Sequence, residues 1–132
     1  MSKSINMSKS INTMEPLVMY IVVNQDLKMG AGKIASQVGH VVHKIVDEIV
    51  RTKYETVKKP QFCNDYDTWS HDGCAKIVLK ANKEKLVELL QLDKARFILD
   101  AGKTQIEPGS LTVVGFYPSR TMKKHMAQLK LL

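Results

Sequence analysis

The stretch Leu17-Val-Met-Tyr-Ile-Val-Val-Asn-Gln-Asp-Leu-Lys-Met-Gly-Ala-Gly-Lys33 decides the fold class of this chain. Its first seven residues form an unbroken apolar run rich in β-branched side chains, which is typical of a strand covered on both faces. The glycines at 30 and 32 then open a long amphipathic helix that continues to about Thr52. The core-facing arc of this helix carries Ile34, Val38, Val41, Val42, Ile45 and Ile49. A buried strand followed by such a helix predicts a layered α/β unit.

The opposite arc of the same helix is predicted to be polar. At about 100° per residue, it contains Lys33, Gln37, His40, Lys44, Asp47 and Arg51. We therefore expect this arc to face away from the core.

The remaining segments continue the alternation between strand-like and helix-like hydrophobic patterns. Further strands are predicted over residues 74–80, 96–100 and 111–117, a short helix from its cap at Asn82 to Leu92, and a basic helix after Pro118. Residues 53–72 show no clean period and are interpreted as a connector. This order predicts a three-layer α/β/α sandwich with a mixed four-stranded sheet.

Composition indicates one globular domain. The chain has 132 residues, of which 44% are hydrophobic and 25% charged, so a single core is expected. Residues 1–13 contain a tandem copy of MSKSIN and too little apolar surface to fold, which predicts a disordered tail before one domain over residues 14–132. The longest apolar runs stop at seven residues, so no membrane span is predicted.

The charge pattern favours a polyanionic partner. The net charge is +7, and residues 73–132 hold eleven basic and five acidic side chains, a surplus of six. Such a surplus attracts nucleic acid but specifies no reaction.

The cysteine and glycine patterns argue against metal binding and nucleotide binding. Cys63 and Cys74 lack metal-binding spacing, which favours reduced thiols in the cytoplasm, and no metal or cofactor is expected. The Gly30, Gly32 and Ala35 spacing resembles a dinucleotide fingerprint, but its glycines come seven residues after the strand. The segment Gly102-Lys-Thr lacks the earlier glycine of a phosphate loop. A nucleotide-binding domain is therefore disfavoured.

Two segments beside strand ends carry the candidate site residues. They supply Lys28, Lys33, Gln37 and His40 from the first segment, and Asp100 and Thr104 from the end of the third strand. Taken singly, each has an ordinary explanation, as a solvated lysine, a turn-capping aspartate or a surface histidine.

These two segments closely resemble the archaeal and eukaryotic type (class two) of peptidyl-tRNA hydrolases. The matching motifs are Asp26-Leu-Lys-Met-Gly-x-Gly-Lys33 continuing as Ile-Ala-Ser-Gln37, and Asp100-Ala-Gly-Lys-Thr-Gln-Ile-x-Pro-Gly-Ser110. The resemblance runs over residues 17–132. It implies a mixed four-stranded sheet with helices on both faces, commonly a homodimer, and hydrolysis of the ester that joins a peptide to tRNA. Ala31 stands where the family usually has a second basic residue, which removes one phosphate contact.

The resemblance also implies roles for individual residues. The catalytic set is Lys33, Gln37, Asp100 and Thr104, and the substrate-binding set is Lys28, Gly30, Gly32, Lys103 and Gln105. His40 is added to the substrate-binding set by its position one turn beyond Gln37 on the polar arc, not by the motif. Asp100 would orient or deprotonate water, Lys33 would offset the developing negative charge, and Thr104 would hold water or substrate. An ordinary aspartate pKa of about 3.9 makes a feeble base at pH 7, so burial raises that pKa or Asp100 acts by positioning.

A second interpretation is a non-catalytic RNA-binding or protein-interaction module on the same fold. The Ala31 change and the basic C-terminal half fit it equally well. A pure binder, however, has no need for an acid such as Asp100 facing a polyanion, because the carboxylate would repel phosphate.

Overall fold

The structure is a computed structural model that describes residues 15–102 and 106–132. Its strands are Met19–Asn24 (β1), Lys76–Ala81 (β2), Ala95–Leu99 (β3), Leu111–Phe116 (β4) and Lys130–Leu131 (β5). Its helices are Ala31–Glu55 (α1), Gln61–His71 (α2), Lys83–Leu89 (α3) and Lys123–Met126 (α4). The predicted tail, residues 1–13, lies outside the described residues. No helix in the described ranges is long and apolar enough to cross a membrane.

The strands form one mixed sheet in the order β3-β4-β1-β2-β5. β1 pairs in parallel with β2 and antiparallel with β4, and all six of its residues are buried. The α/β class and the mixed sheet are therefore confirmed, and β1 is the central strand. The four-stranded count is wrong, because β5 adds a two-residue edge strand antiparallel to β2. Two residues are too few to show a period in the sequence.

The side chains of β1 alternate between two apolar clusters. Met19, Ile21 and Val23 pack in a cluster that contains buried residues of α1 and α2. Tyr20 and Val22 pack in a second cluster, which contains buried residues of α3 and Met126 of α4. This alternation follows from the two-residue period of a strand, and it explains why the run has no polar positions.

The core-facing side of α1 is largely as predicted, with Val41, Ile45 and Ile49 fully buried. One position differs: Gln37, predicted on the polar arc, is only 5% exposed. At 100° per residue it lies about 40° from Val41, at the boundary of the two arcs, and packing draws it inward.

The predicted connector contains a helix, α2. Its amphipathic pattern is weak because only Cys63 and Trp69 are buried. The Trp69 indole donates a 2.8 Å hydrogen bond to the Ala75 carbonyl and so fixes α2 to the start of β2. The predicted basic helix after Pro118 is α4, which has four residues.

Candidate active site

The candidate site lies where β3 ends and α1 begins. Asp100 directly follows β3, and its N–H donates to the Ser110 carbonyl at 2.8 Å, which extends the pairing with β4 by one residue. Lys33 lies in the first turn of α1, after the N-cap residue Gly30. The sheet and the helix together therefore bring two side chains 67 residues apart in sequence to one place.

Lys33 and Asp100 form an ion pair. The Lys33 ammonium contacts Asp100 Oδ1, and the Gly102 N–H donates to Oδ2 at 3.0 Å. The Asp100 side chain is fully buried, whereas the Lys33 side chain keeps 17% of its surface exposed. Both carboxylate oxygens are thus held by donors, and the lysine is the more exposed member of the pair. Such charge-assisted bonds fix orientation strongly.

Gln37 contacts a residue of β4 that the sequence did not indicate as part of the site. The Thr112 hydroxyl in β4 lies 2.8 Å from Gln37 Oε1 and 3.1 Å from the Ile98 carbonyl. Thr112 is fully buried. A threonine inside an apolar strand carries no motif of its own, and only its position opposite α1 reveals the contact.

A cleft of about 220 Å³ opens over these groups. It is lined by Lys33, Ser36, Gln37, His40, Ile98, Leu99, Asp100 and Ala101. His40 is exposed on its rim, with Nε2 3.4 Å from the Ser36 hydroxyl. Four predicted site residues, Lys33, Gln37, His40 and Asp100, therefore share one cleft.

The other predicted residues of the first segment lie outside this lining. Lys28 is exposed and adopts a left-handed conformation, with φ of 50°, at the end of the single 3-10 turn Gln25–Leu27. A Cβ at Gly30 or Gly32 would meet no atom within 4 Å. Packing within the described chain therefore does not require either glycine, and the space before the helix N-terminus is open to a ligand.

Lys103, Thr104 and Gln105 lie outside the described residues, so the structure does not place them. Gly102, just before them, has φ of 82°, and a Cβ there would lie 3.1 Å from the Pro108 Cβ. Both its conformation and the close approach of Pro108 require glycine at this turn.

A second cleft of about 580 Å³ shares no lining residue with the first. Arg120 and Lys124, two basic residues near the C-terminus, line it together with Tyr117. Burial raises the pKa of the Tyr117 phenol above its usual value. Glu48 bridges the region, since its Oε1 accepts from Arg96 Nε at 2.6 Å and lies 3.4 Å from the Tyr117 hydroxyl. This network ties α1 to the far ends of β3 and β4.

Within the part of the chain that the structure describes, no three His, Cys, Asp or Glu side chains cluster as a metal site. Cys63 and Cys74 are both free thiols.

Comparison with known proteins adds an independent finding. The family model described as "Peptidyl-tRNA hydrolase PTH2" matches residues 17–132. A peptidyl-tRNA hydrolase of Saccharolobus solfataricus is 38% identical over 108 residues, covering 76% of this chain and 85% of the relative. One of Methanococcus maripaludis (strain C6) is 39% identical over 122 residues, covering 85% and 96%. The mitochondrial peptidyl-tRNA hydrolase 2 of Bos taurus is 42% identical over 106 residues, covering 76% and 54%.

Proposed function

This chain belongs to the peptidyl-tRNA hydrolase PTH2 family, and from that premise we propose how its cleft performs the reaction. The enzyme hydrolyses peptidyl-tRNA and releases free tRNA for reuse in translation. Water attacks the ester carbonyl, the carbonyl oxygen becomes negatively charged, and the ribose oxygen of tRNA leaves with a proton. The cleft over Lys33 and Asp100 is the proposed place of this reaction, because it joins a buried carboxylate to a partly exposed ammonium.

Asp100 is assigned to the attacking water. Its two oxygens are held by Lys33 and by the Gly102 N–H, so the carboxylate keeps one orientation toward the cleft. A fixed carboxylate aligns a water by accepting its proton in a hydrogen bond, which lowers the entropic part of the barrier. A solvent deuterium isotope effect on the single-turnover rate tests for proton transfer to Asp100, because a carboxylate that only orients water does not take up its proton in the transition state.

Lys33 is assigned to the oxyanion. Its ammonium reaches both the carboxylate and the cleft, where a fixed positive charge offsets the negative oxygen that develops on the ester. No charge has to move into place during the reaction, because the Asp100 contact already holds Lys33.

Gln37 and Thr104 are assigned to holding substrate or water. The Thr112 hydroxyl contacts the Gln37 amide and thereby holds this side chain in place at the cleft. The role of Thr104 rests on the family resemblance of its motif alone.

The tRNA is proposed to lie over the first turn of α1, contacted by Lys28, the amides at Gly30 and Gly32, and His40, with Lys103 and Gln105 from the second segment. Open space before the glycines and the positive end of the α1 dipole support phosphate binding there.

Three features of the whole protein complete the proposal. We propose that residues 14–132 form one catalytic domain in three α/β/α layers, which the division of β1 side chains between two helix-containing clusters supports. We also propose a homodimer, by family resemblance, and a cytoplasmic location, which the two free thiols support. Sedimentation equilibrium tests the dimer, and fractionation of cells tests the location.

The proposed roles are tested by single-turnover hydrolysis of peptidyl-tRNA with Lys33→Ala and Asp100→Ala. Loss of an oxyanion-stabilising charge or of a proton acceptor lowers the rate by about 10²–10³-fold or more. The matched control is Lys53→Ala, which breaks another Lys–Asp pair of α1, the 2.6 Å contact with Asp67, outside the cleft. Near-native rates in both cleft variants would remove these roles.

A further inference from the structure

The strand that leads into Asp100 lies at an edge of the sheet. β3 is the first strand in the sheet order and pairs only with β4 among the described strands. Its outer edge runs directly to the cleft, because Ile98 and Leu99 are lining residues.

The hydrogen bonds show which residues of β3 point outward. The Ile98 carbonyl lies 3.1 Å from the Thr112 hydroxyl, and the Asp100 N–H donates to Ser110, so both residues direct their backbone toward β4. The Phe97 carbonyl instead accepts from the exposed Lys44 ammonium at 3.3 Å. Since backbone groups alternate along a strand, Phe97 and Leu99 direct their N–H and C=O groups away from the sheet.

The side chains of the same two residues are unusually exposed for their type. Phe97 is 40% and Leu99 is 50% exposed, although their partners across the pair, Val114 and Leu111, are buried. The outer end of β3 therefore offers both backbone hydrogen-bonding groups and apolar surface beside the cleft. Among the described residues, the Lys44 side chain also lies at this edge, with its ammonium 3.3 Å from the Phe97 carbonyl and 5.1 Å from the centre of the Phe97 ring.

We propose that this edge binds the peptide part of peptidyl-tRNA as an added β-strand, with the ester over Lys33 and Asp100. This inference rests on the proposed function, which places the ester in that cleft. The peptide carries the ester at its C-terminus, and Asp100 lies at the C-terminal end of β3. The bound peptide therefore runs parallel to β3, with its N-terminus directed toward Ala95.

Strand addition suits this substrate. The peptides on tRNA differ in sequence, whereas their backbones are alike, and main-chain hydrogen bonds recognise an extended peptide regardless of sequence. β3 has five residues, whose first and last Cα atoms lie about 13 Å apart at ~3.3 Å per residue, so contacts extend over roughly four peptide residues. Peptide side chains on the face of Phe97 and Leu99 pack against them.

The substrate-side test uses N-acetylated alanyl-tRNAs with one to five alanines. We expect kcat/KM to rise with each added pairing residue and to level off after about four. In the four-residue substrate, N-methylation of one amide that faces β3 lowers kcat/KM by roughly 2- to 10-fold, the effect of losing one hydrogen bond. N-methylation of the adjacent amide, which faces away from β3, changes kcat/KM little.

The protein-side test compares Leu99→Pro with Leu99→Ala. Proline removes the outward N–H without removing a bond to β4, so it flattens the length dependence, whereas alanine, which keeps the N–H, retains it. Circular dichroism and thermal melting check that both variants fold.

Equal kcat/KM for all lengths and no effect of N-methylation, with hydrolysis intact, overturn this inference but not the proposed function. Loss of hydrolysis with every substrate overturns both. Protection of the Leu99 amide from hydrogen exchange in the free protein, together with dimerisation, assigns the edge to a second copy of the chain and also overturns the inference.

Discussion

At the scale of single residues, the Thr112 hydroxyl holds the side chain of Gln37, which lines the cleft. Thr112→Val keeps the volume but removes the donor to Gln37 Oε1, which lies in a buried environment. An unsatisfied buried acceptor costs about 1–3 kcal/mol, so we expect the free energy of unfolding to fall by that amount. Because Gln37 loses its fixed orientation, kcat/KM falls roughly tenfold as well. Chemical denaturation and single-turnover hydrolysis measure the two effects.

Thr112→Ser is the matched control, since it keeps the hydroxyl and loses one methyl group. It should retain most of the activity. If Thr112→Val were as active as Thr112→Ser, Gln37 would not depend on this hydrogen bond.

Residue by residue, the sequence predicts some of the site and not the rest. Asp100 follows β3 and Lys33 lies in the first turn of α1, which follows β1. Their convergence depends on β3 and β1 each pairing antiparallel with β4, which the order of elements in the sequence does not specify. Gln37 lies about 40° from Val41 on the helix, and helical period alone does not decide the side of such a boundary position. Thr112 is indistinguishable from its apolar neighbours until β4 is placed against α1.

At the scale of elements, two glycines give opposite predictions for the same substitution. Gly115 in β4 faces α1, and a Cβ there would lie 3.0 Å from Val41 Cγ2 and 3.1 Å from Ile45 Cδ1. Because α1 is packed closely at this point, Gly115→Ala overpacks the contact and lowers the free energy of unfolding by about 1–3 kcal/mol.

Gly39 in α1 is the matched control. It is exposed, and a Cβ there would meet no atom within 4 Å, so Gly39→Ala raises the free energy of unfolding by about 0.5–1 kcal/mol through helix propensity. Urea unfolding of both variants gives the comparison. A stabilised Gly115→Ala protein would contradict the close packing of α1 on β4.

Element prediction succeeded where the hydrophobic pattern was long and strong. β1 and α1 have such patterns, and both were found close to their predicted bounds. α2 buries only two apolar side chains, and β5 has two residues, so neither gives a periodic signal. β5 depends on pairing with the distant strand β2, and α2 is held by the hydrogen bond from Trp69 to Ala75, six residues further along the chain.

At the scale of the whole molecule, alkaline pH weakens the fold through buried phenols. Burial, with a smaller effect of Glu15, raises the pKa of Tyr20 above its ordinary value of about 10. The folded state therefore holds this proton more tightly than the unfolded state. The contribution to stability is complete below pH ~10 and is lost as the pH rises through the folded-state pKa. Tyr20→Phe should reduce the decline in denaturation midpoint above pH 10, and an unchanged decline would argue against it.

The positive charge of the whole chain, +7, makes tRNA binding depend on salt. Each phosphate contact contributes about −0.7 to −0.9 to the slope of log affinity against log salt. Lys28→Ala removes one proposed contact, so the slope should become shallower by about one, with weaker binding at low salt. Lys58→Ala removes the same charge from an exposed site between α1 and α2, and it should leave the slope nearly unchanged. Equal slopes for the two variants would mean that net charge, rather than a phosphate contact at the start of α1, sets the affinity, and the tRNA would then have to be placed elsewhere on the surface.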